Sequence, residues 1–317
     1  MKKRTTIEPL EHTSAPTDES SGREICHVGG TSFHGEVGDS PFAPGAGRYW
    51  LFTSKLCPFA HRTEIVRVLK GLEQCVGLTV AGSIQTEQGW DLTIPYRASN
   101  VSPNPLNGVA RMPDLYELSS PDYSGRASVP VLFDKQTETI VNNESAEIVL
   151  QLNSVFDDYG DCGHPDLDLY SEAIRPAIDA VNGLLADEFI GPLYRAGFAQ
   201  DQQSYEHAFD RVFAALDDLD RILADGRSYL TGRDLSLADV HAFPHLARFD
   251  PIYYSLYKLN LRHVSDYPHL SEYMERLWQE AAFRETFDLQ AVKEGYYLSW
   301  NQPNPLGVVP KGPAIGE

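Results

Sequence analysis

Cys57 carries the strongest chemical signal in the chain. It stands in Arg48-Tyr-Trp-Leu-Phe-Thr-Ser-Lys-Leu-Cys57-Pro58-Phe59-Ala60-His61-Arg62, where an apolar, strand-like run ends in Cys-Pro and a helical pattern begins. Proline suits the first helical position because its missing N–H needs no partner there. The Cys57 sulfur is thereby set among free backbone N–H groups at the positive end of a helix dipole. Such a place stabilises thiolate and lowers a cysteine pKa. His61 and Arg62, close behind, strengthen the expectation of a depressed pKa. The ordinary alternative for a free cysteine is a buried, inert side chain.

The elements that must position this sulfur are legible around it. Tyr49 to Thr53 reads as a strand, and Phe59 to Leu72 as a helix with Ile65, Val66, Val68 and Leu69 on its apolar side. Gly77 to Ala81 is a plausible second strand. Residues 83–125 are polar and hold Pro95, Pro103, Pro105, Pro113 and Pro121, a connection long enough to expect a function. Val129-Pro-Val-Leu-Phe-Asp134 and Thr139-Ile-Val-Asn142 form a hairpin, and a proline inside it points to an edge, a bulge or a cis bond. Glu144 to Leu152 reads as a helix, with Ile148, Val149 and Leu152 apolar.

Beyond about residue 160 the strand signal vanishes. Tyr205, Phe209, Val212, Leu216, Leu219 and Leu223 keep a helical stripe, as do Leu237, Val240, Phe243 and Leu246. Ser236-Leu-Ala-Asp239 has capping-box spacing with Asp in place of Glu, which marks a helix start near Leu237. Further helices are expected over Asp166 to Leu185 and Leu270 to Ala282. The fold class is an α/β domain followed by an all-helical one. The division is a flexible arm over 1–45, an α/β domain over 46–157, a helical domain over 158–290 and a tail over 291–317.

The 317 residues carry a formal net charge of −19, which argues against a nucleic-acid surface. No run approaches the length of a membrane helix. Cys26, Cys57, Cys75 and Cys162 show neither paired spacing nor a zinc pattern, and the ten histidines lack ligand spacing. A disulfide framework and a metal are therefore not expected, and a reducing cytoplasm is.

A strand ending in Cys-Pro, a Val-Pro-Val hairpin and a helix opening with Glu-Ser resemble the thioredoxin-like domain of glutathione transferases. The match narrows with Cys57-Pro-Phe-Ala-His-Arg62, Gly89-Trp90, Tyr123-Ser-Gly-Arg-Ala-Ser-Val-Pro-Val-Leu-Phe-Asp134, Ile140-Val-Asn-Asn-Glu-Ser145, Arg248-Phe-Asp250 and Asp266-Tyr-Pro268. Together with Tyr296-Tyr-Leu-Ser and the closing Asn304–Pro313 segment, these resemble the xi class, the glutathionyl-hydroquinone reductases. The resemblance covers roughly residues 45–313.

It implies a glutathione-dependent reductase of S-glutathionyl-hydroquinones or related quinol S-conjugates. Cys57 would take the glutathionyl sulfur as a mixed disulfide, and a second glutathione would release glutathione disulfide. Ala60, in the place of a second CxxC cysteine, suits a lone nucleophile. By position, Val129 would pair with the glutathione backbone beside a cis Val129–Pro130 bond. Glu144 and Ser145 would receive the γ-glutamyl ammonium and carboxylate at a helix start, beyond the N-capping expected there in any case. Trp90 would lie over the glutathione and Arg126 near its glycine carboxylate. Tyr194, Tyr253 and Tyr296 would hold the quinol, and the tail would pack at the active site. Superfamily habit implies a homodimer, with apolar residues of the 83–125 stretch available as interface. Two departures bear on the acceptor pocket: Phe59 stands where the class usually has tryptophan, and Ser255-Leu-Tyr-Lys-Leu-Asn260 where it usually has His, Phe and Cys. The alternatives are a transferase conjugating glutathione to electrophiles, with Cys57 a bystander or activator, and a non-catalytic ligand-binding relative using another low-molecular-weight thiol.

Overall fold

The computed structural model describes residues 33–95, 103–157, 162–299, 304–313 and 315. Its first half is built on a four-stranded sheet in the order β2-β1-β3-β4. The central strand β1 (Tyr49–Ser54) lies parallel to β2 (Val76–Ala81) and antiparallel to β3 (Val131–Asp134), which pairs in turn with β4 (Thr139–Asn142). The parallel pair needs a crossover, supplied by α1 (Pro58–Leu69). Tyr49, Leu51 and Phe52 are buried, as a strand flanked on both sides requires. α3 (Ser145–Ser154) follows β4 and packs against α1.

Three features depart from the sequence reading. The 83–125 stretch is not all loop: α2 (Met112–Ser119) buries Met112, Leu115 and Tyr116. Pro113 is no obstacle, because it falls in the first turn where a donor is not needed. In the expected 1–45 arm, residues 33–43 lie against the sheet rather than loose. Gly35 N–H donates to the Val141 carbonyl at 2.8 Å, Val37 N–H to Gln151 Oε1 at 3.0 Å, and the Phe33 ring meets Tyr116 edge-on. Residues 1–32 lie outside the described residues.

The third departure is a disulfide between Cys75 and Cys162, whose Cα atoms are 5.9 Å apart across 87 residues of sequence. Spacing along the chain could not announce it, because the pairing depends on where the chain returns after α3. That return is pinned to the end of α1: His164 N–H donates to the Lys70 carbonyl at 2.8 Å, and Lys70 Nζ reaches the Leu167 carbonyl at 2.6 Å.

No strand follows Asn142 among the described residues. α4 (Arg175–Leu184) runs through a π turn (Leu185–Ile190) into α5 (Gly191–Gly197), and α6 (Gln202–Leu223) crosses beside them. α7 (Leu237–Arg248) passes through a second π turn (Phe249–Tyr253) into the short α8 (Tyr254–Leu256). α9 (Pro268–Gln279), α10 (Ala281–Thr286) and α11 (Leu289–Ser299) complete the set. The architecture is a thioredoxin-like α/β domain followed by an all-α domain, and α1 packs against α7 and α10 where the halves meet. No helix among the described residues is long and apolar enough to cross a membrane.

Candidate active site

Cys57 is the N-cap of α1, with extended backbone, and its half-buried sulfur accepts the Ala60 N–H at 3.4 Å. On its other side the thiol faces the Val129 carbonyl at 3.6 Å. The Val129–Pro130 bond is cis, as the hairpin proline suggested. The expected depressed pKa is not what the site produces. Burial pushes the Cys57 thiol above its ordinary 9.0, against the opposing pull of the Ala60 and Phe59 N–H groups and of the Arg248 and Arg126 guanidiniums. Sequence reasoning counted the helix terminus but could not count the packing that strips water from the sulfur.

His61 does not supply positive charge either, because burial, and then Arg248 and Lys55, hold its pKa well below its usual value. Its Nε2 bonds Thr286 Oγ1 at 2.8 Å. That hydroxyl spends its own proton on the Ala282 carbonyl at 2.6 Å, so His61 donates from Nε2 and keeps a lone pair on Nδ1.

Arg126 is exposed, yet its charge reaches Cys57 from the loop before β3. Glu144 is the N-cap of α3, its N–H held by Asn142 Oδ1 at 2.7 Å, and Ser145 is buried at the first helical position. Trp90 is only 3% exposed, so its ring belongs to the core, while its carbonyl accepts the Met112 N–H at 3.0 Å. Cys57, Val129 and Arg126 therefore converge directly. Glu144 and Ser145 stand at the start of the helix packed on α1. No hydrogen bond or ring contact joins Trp90 to Cys57.

The three tyrosines converge as well. Tyr253 and Tyr296 hydroxyls lie 3.0 Å apart, and Tyr194 hydrogen-bonds with both. Burial raises the pKa of Tyr253 and Tyr296, so both stay protonated and able to donate. Phe59 stacks on Tyr194 with centroids 6.1 Å apart, which ties the cysteine helix to the phenol cluster.

Two ring neighbours escaped the sequence reading. Tyr257 stacks on Tyr253 at 5.2 Å, and the i,i+4 spacing on one helical run was the available signal. His245, fully buried, sits edge-on to Phe59 at 5.2 Å, and no signal in the sequence distinguished it from the other histidines. Tyr296 is carried by α11, which can approach because residue 295 is glycine. A Cβ there would stand 2.8 Å from the Ser83 carbonyl and 2.9 Å from Leu56 Cβ, beside Cys57. Among the described residues no group of three His, Cys, Asp or Glu side chains could hold a metal.

The family described as "Glutathione S-transferase, N-terminal domain" matches residues 56–155, and "Glutathione S-transferase, C-terminal domain" matches residues 202–276. The glutathionyl-hydroquinone reductase PcpF of Sphingobium chlorophenolicum is 40% identical over 276 residues, spanning 87% of this chain and 86% of its own. The crystal structure of the xi glutathione transferase of Phanerochaete chrysosporium superposes with a TM-score of 0.85 at 39% identity, over 92% of this chain and 98% of its own. The chain belongs to the xi class of the glutathione transferases. It is an enzyme of that superfamily. A second xi-class structure, ECM4 of Saccharomyces cerevisiae in complex with glutathione, superposes with a TM-score of 0.85 at 33% identity, over 91% of this chain and 99% of its own.

Proposed function

We propose that this xi-class enzyme is a glutathione-dependent reductase of S-glutathionyl-hydroquinones, with Cys57 as its nucleophile. The observation that carries the reading is the juxtaposition of Cys57, a half-buried free thiol, with a cluster of three phenols across Phe59. A lone thiol suits transfer of sulfur, and phenols suit an aromatic diol. The relatives named as glutathionyl-hydroquinone reductases and the glutathione-bound xi structure support it.

The Cys57 thiolate attacks the glutathionyl sulfur of the conjugate. A sulfur–sulfur bond forms and the ring carbon–sulfur bond breaks, its electron pair passing into the ring. Tyr194, Tyr253 and Tyr296 hydrogen-bond the quinol oxygens and steady that charge. The ring carbon takes a proton and the hydroquinone leaves. A second glutathione, as thiolate, attacks the mixed disulfide, releasing glutathione disulfide and restoring Cys57. The proton given up by that glutathione balances the one gained by the ring. Trp90, Arg126, Val129, Glu144 and Ser145 hold the tripeptide.

The test combines mass spectrometry with turnover. Exposure to a glutathionyl-hydroquinone should add one glutathionyl mass to Cys57 with release of hydroquinone, and added glutathione should remove that mass as glutathione disulfide. Cys57→Ala should lose both. Replacing Tyr194, Tyr253 or Tyr296 by Phe should lower quinol turnover about tenfold while sparing glutathione affinity, whereas Ser145→Ala and Glu144→Ala should raise the thiol KM. Faster conjugation of a halogenated nitrobenzene than reduction of the quinol conjugate would make the chain a conjugating transferase instead. A homodimer is part of the proposal. Ile94 and Leu106 of the 83–125 stretch are at least partly exposed and available to it, while Val109 is spent in the core. Light scattering at the 35.3 kDa monomer mass across micromolar concentrations would end it.

A further inference from the structure

We propose that Arg248 is the positioning residue of this site, gripping the turn that carries Cys57 and supplying a buried positive charge that is left for the reacting anions. The inference rests on the proposed role of Cys57 as nucleophile, but its test does not require the quinol reaction.

Arg248 ends α7 and is 1% exposed, although it belongs to the all-α half. One guanidinium nitrogen donates to the Lys55 carbonyl at 2.7 Å, two residues before Cys57. The other donates to the Pro244 carbonyl at 2.7 Å and meets His61 Nδ1 at 3.2 Å, one turn into α1. His61 N–H in turn bonds the Cys57 carbonyl at 3.0 Å. Arg248 therefore holds both flanks of the cysteine turn from the neighbouring domain.

All three of its acceptors are neutral. Two are backbone carbonyls, and the third is the lone pair that His61 keeps because its Nε2 proton is committed to Thr286. Nε of Arg248 has no partner, and among the described residues no carboxylate pairs with the guanidinium. A buried charge without a counter-ion is costly, and the arrangement makes sense when an anion is formed beside it.

The surroundings leave that role open. From the turn and α1 come Lys55, Arg62 and Glu64; the Glu64 carboxylate pairs with Lys55 through Oε2, and its buried Oε1 has no hydrogen bond to Arg248. α7 adds neutral His245, the loop before β3 adds Arg126, and Tyr253 and Tyr296 face the site from the second π turn and α11. The Arg248 charge acts on Cys57, Tyr253 and Tyr296 alike, favouring the ionised form of each. It thus serves the attacking thiolate and, through the phenols, the electron-rich quinol that departs.

The experiment follows Cys57 alkylation by iodoacetamide against pH, in the full-length protein and in Arg248→Met and Arg248→Lys. The Met variant should shift the inflection up by about one pH unit, slowing alkylation near neutrality about tenfold. Lys, which keeps the charge and loses the fork, should restore at least half of that shift. An unchanged inflection in Arg248→Met, with only stability lowered, would reduce Arg248 to a structural bolt and overturn the proposal. Should the Arg248 variants fail to fold, the Cys57→Ser protein still decides. Glutathione sulfonate, an anion at the sulfur position, should bind it at least about tenfold more tightly than S-methylglutathione, and equal affinity refutes the buried counter-charge.

Discussion

Asp239 is where the all-α half is most vulnerable to a single change. Its carboxylate is fully buried and accepts four hydrogen bonds. Oδ2 takes the Ser236 N–H at 2.9 Å and the Ser236 hydroxyl at 3.0 Å, and Oδ1 takes the Leu230 N–H and the Tyr273 hydroxyl, each at 2.9 Å. One side chain thus starts α7, fastens the turn before it and anchors α9. Asp239→Ala strands two backbone N–H groups and a phenol in a dry environment, while the Ser236 hydroxyl still accepts from Thr231 Oγ1 at 3.0 Å and is left with a partner. At about 1 to 1.5 kcal/mol for each stranded donor, the loss sums to about 3 to 5 kcal/mol. That is a large share of a typical domain stability of about 5–15 kcal/mol. Asp239→Asn keeps the Oδ1 bonds but turns an amide toward the Ser236 N–H, so it should lose about 2 kcal/mol, and Ser236→Ala about 1. Urea unfolding followed by far-ultraviolet circular dichroism would rank the three. A loss below about 1 kcal/mol for Asp239→Ala, or one no larger than that of Ser236→Ala, would refute this account of the turn.

Acid should weaken the fold earlier than carboxylate titration explains. His61 and His245 are buried neutral, chiefly by desolvation, with pKa values well below the usual 6.5. The unfolded chain therefore binds their protons first, and stability present above pH 6.5 falls as pH drops, approaching about 1.4 kcal/mol per pH unit for each. Denaturation curves that are flat from pH 7 to 5 would exclude it. The Cys75–Cys162 bridge predicts that Cys57 reacts with a thiol reagent in unfolded, unreduced protein, whereas Cys75 and Cys162 react only after reduction. Reduction should then remove up to about 4 to 5 kcal/mol, the chain-entropy value for a loop of this length. Gly295→Ala should push α11 away from Leu56 and Ser83, destabilising by about 1 to 3 kcal/mol and lowering quinol turnover more than glutathione affinity. Equal loss in both kinetic parameters would mean that α11 does not position Tyr296.

The sequence by itself determined the parts of this protein that follow from local pattern. The strand before Cys57, the proline that opens α1, the hairpin with its Val129–Pro130 bond and the Ser236–Asp239 box each rest on neighbouring residues, and each forms where the pattern put it. Val129 was named by the resemblance alone, and it is the pairing of β1 with β3, distant in sequence, that brings it to Cys57. Other features depend on contacts between distant segments, and only the tertiary structure decided those. The thiol environment is one: a local dipole promised a low pKa, but packing around the sulfur outweighs it. The tyrosine cluster is another. The resemblance named the three residues, while two π turns, just before Tyr194 and ending at Tyr253, aim their rings at Tyr296. A π turn inserts one residue into a helix and rotates everything after it, which no periodic pattern records. Arg248 shows the same limit, since the sequence marked it within the Arg248-Phe-Asp250 motif but gave it no role. Two of its three acceptors lie 187 and 193 residues away, and folding alone brings them to it.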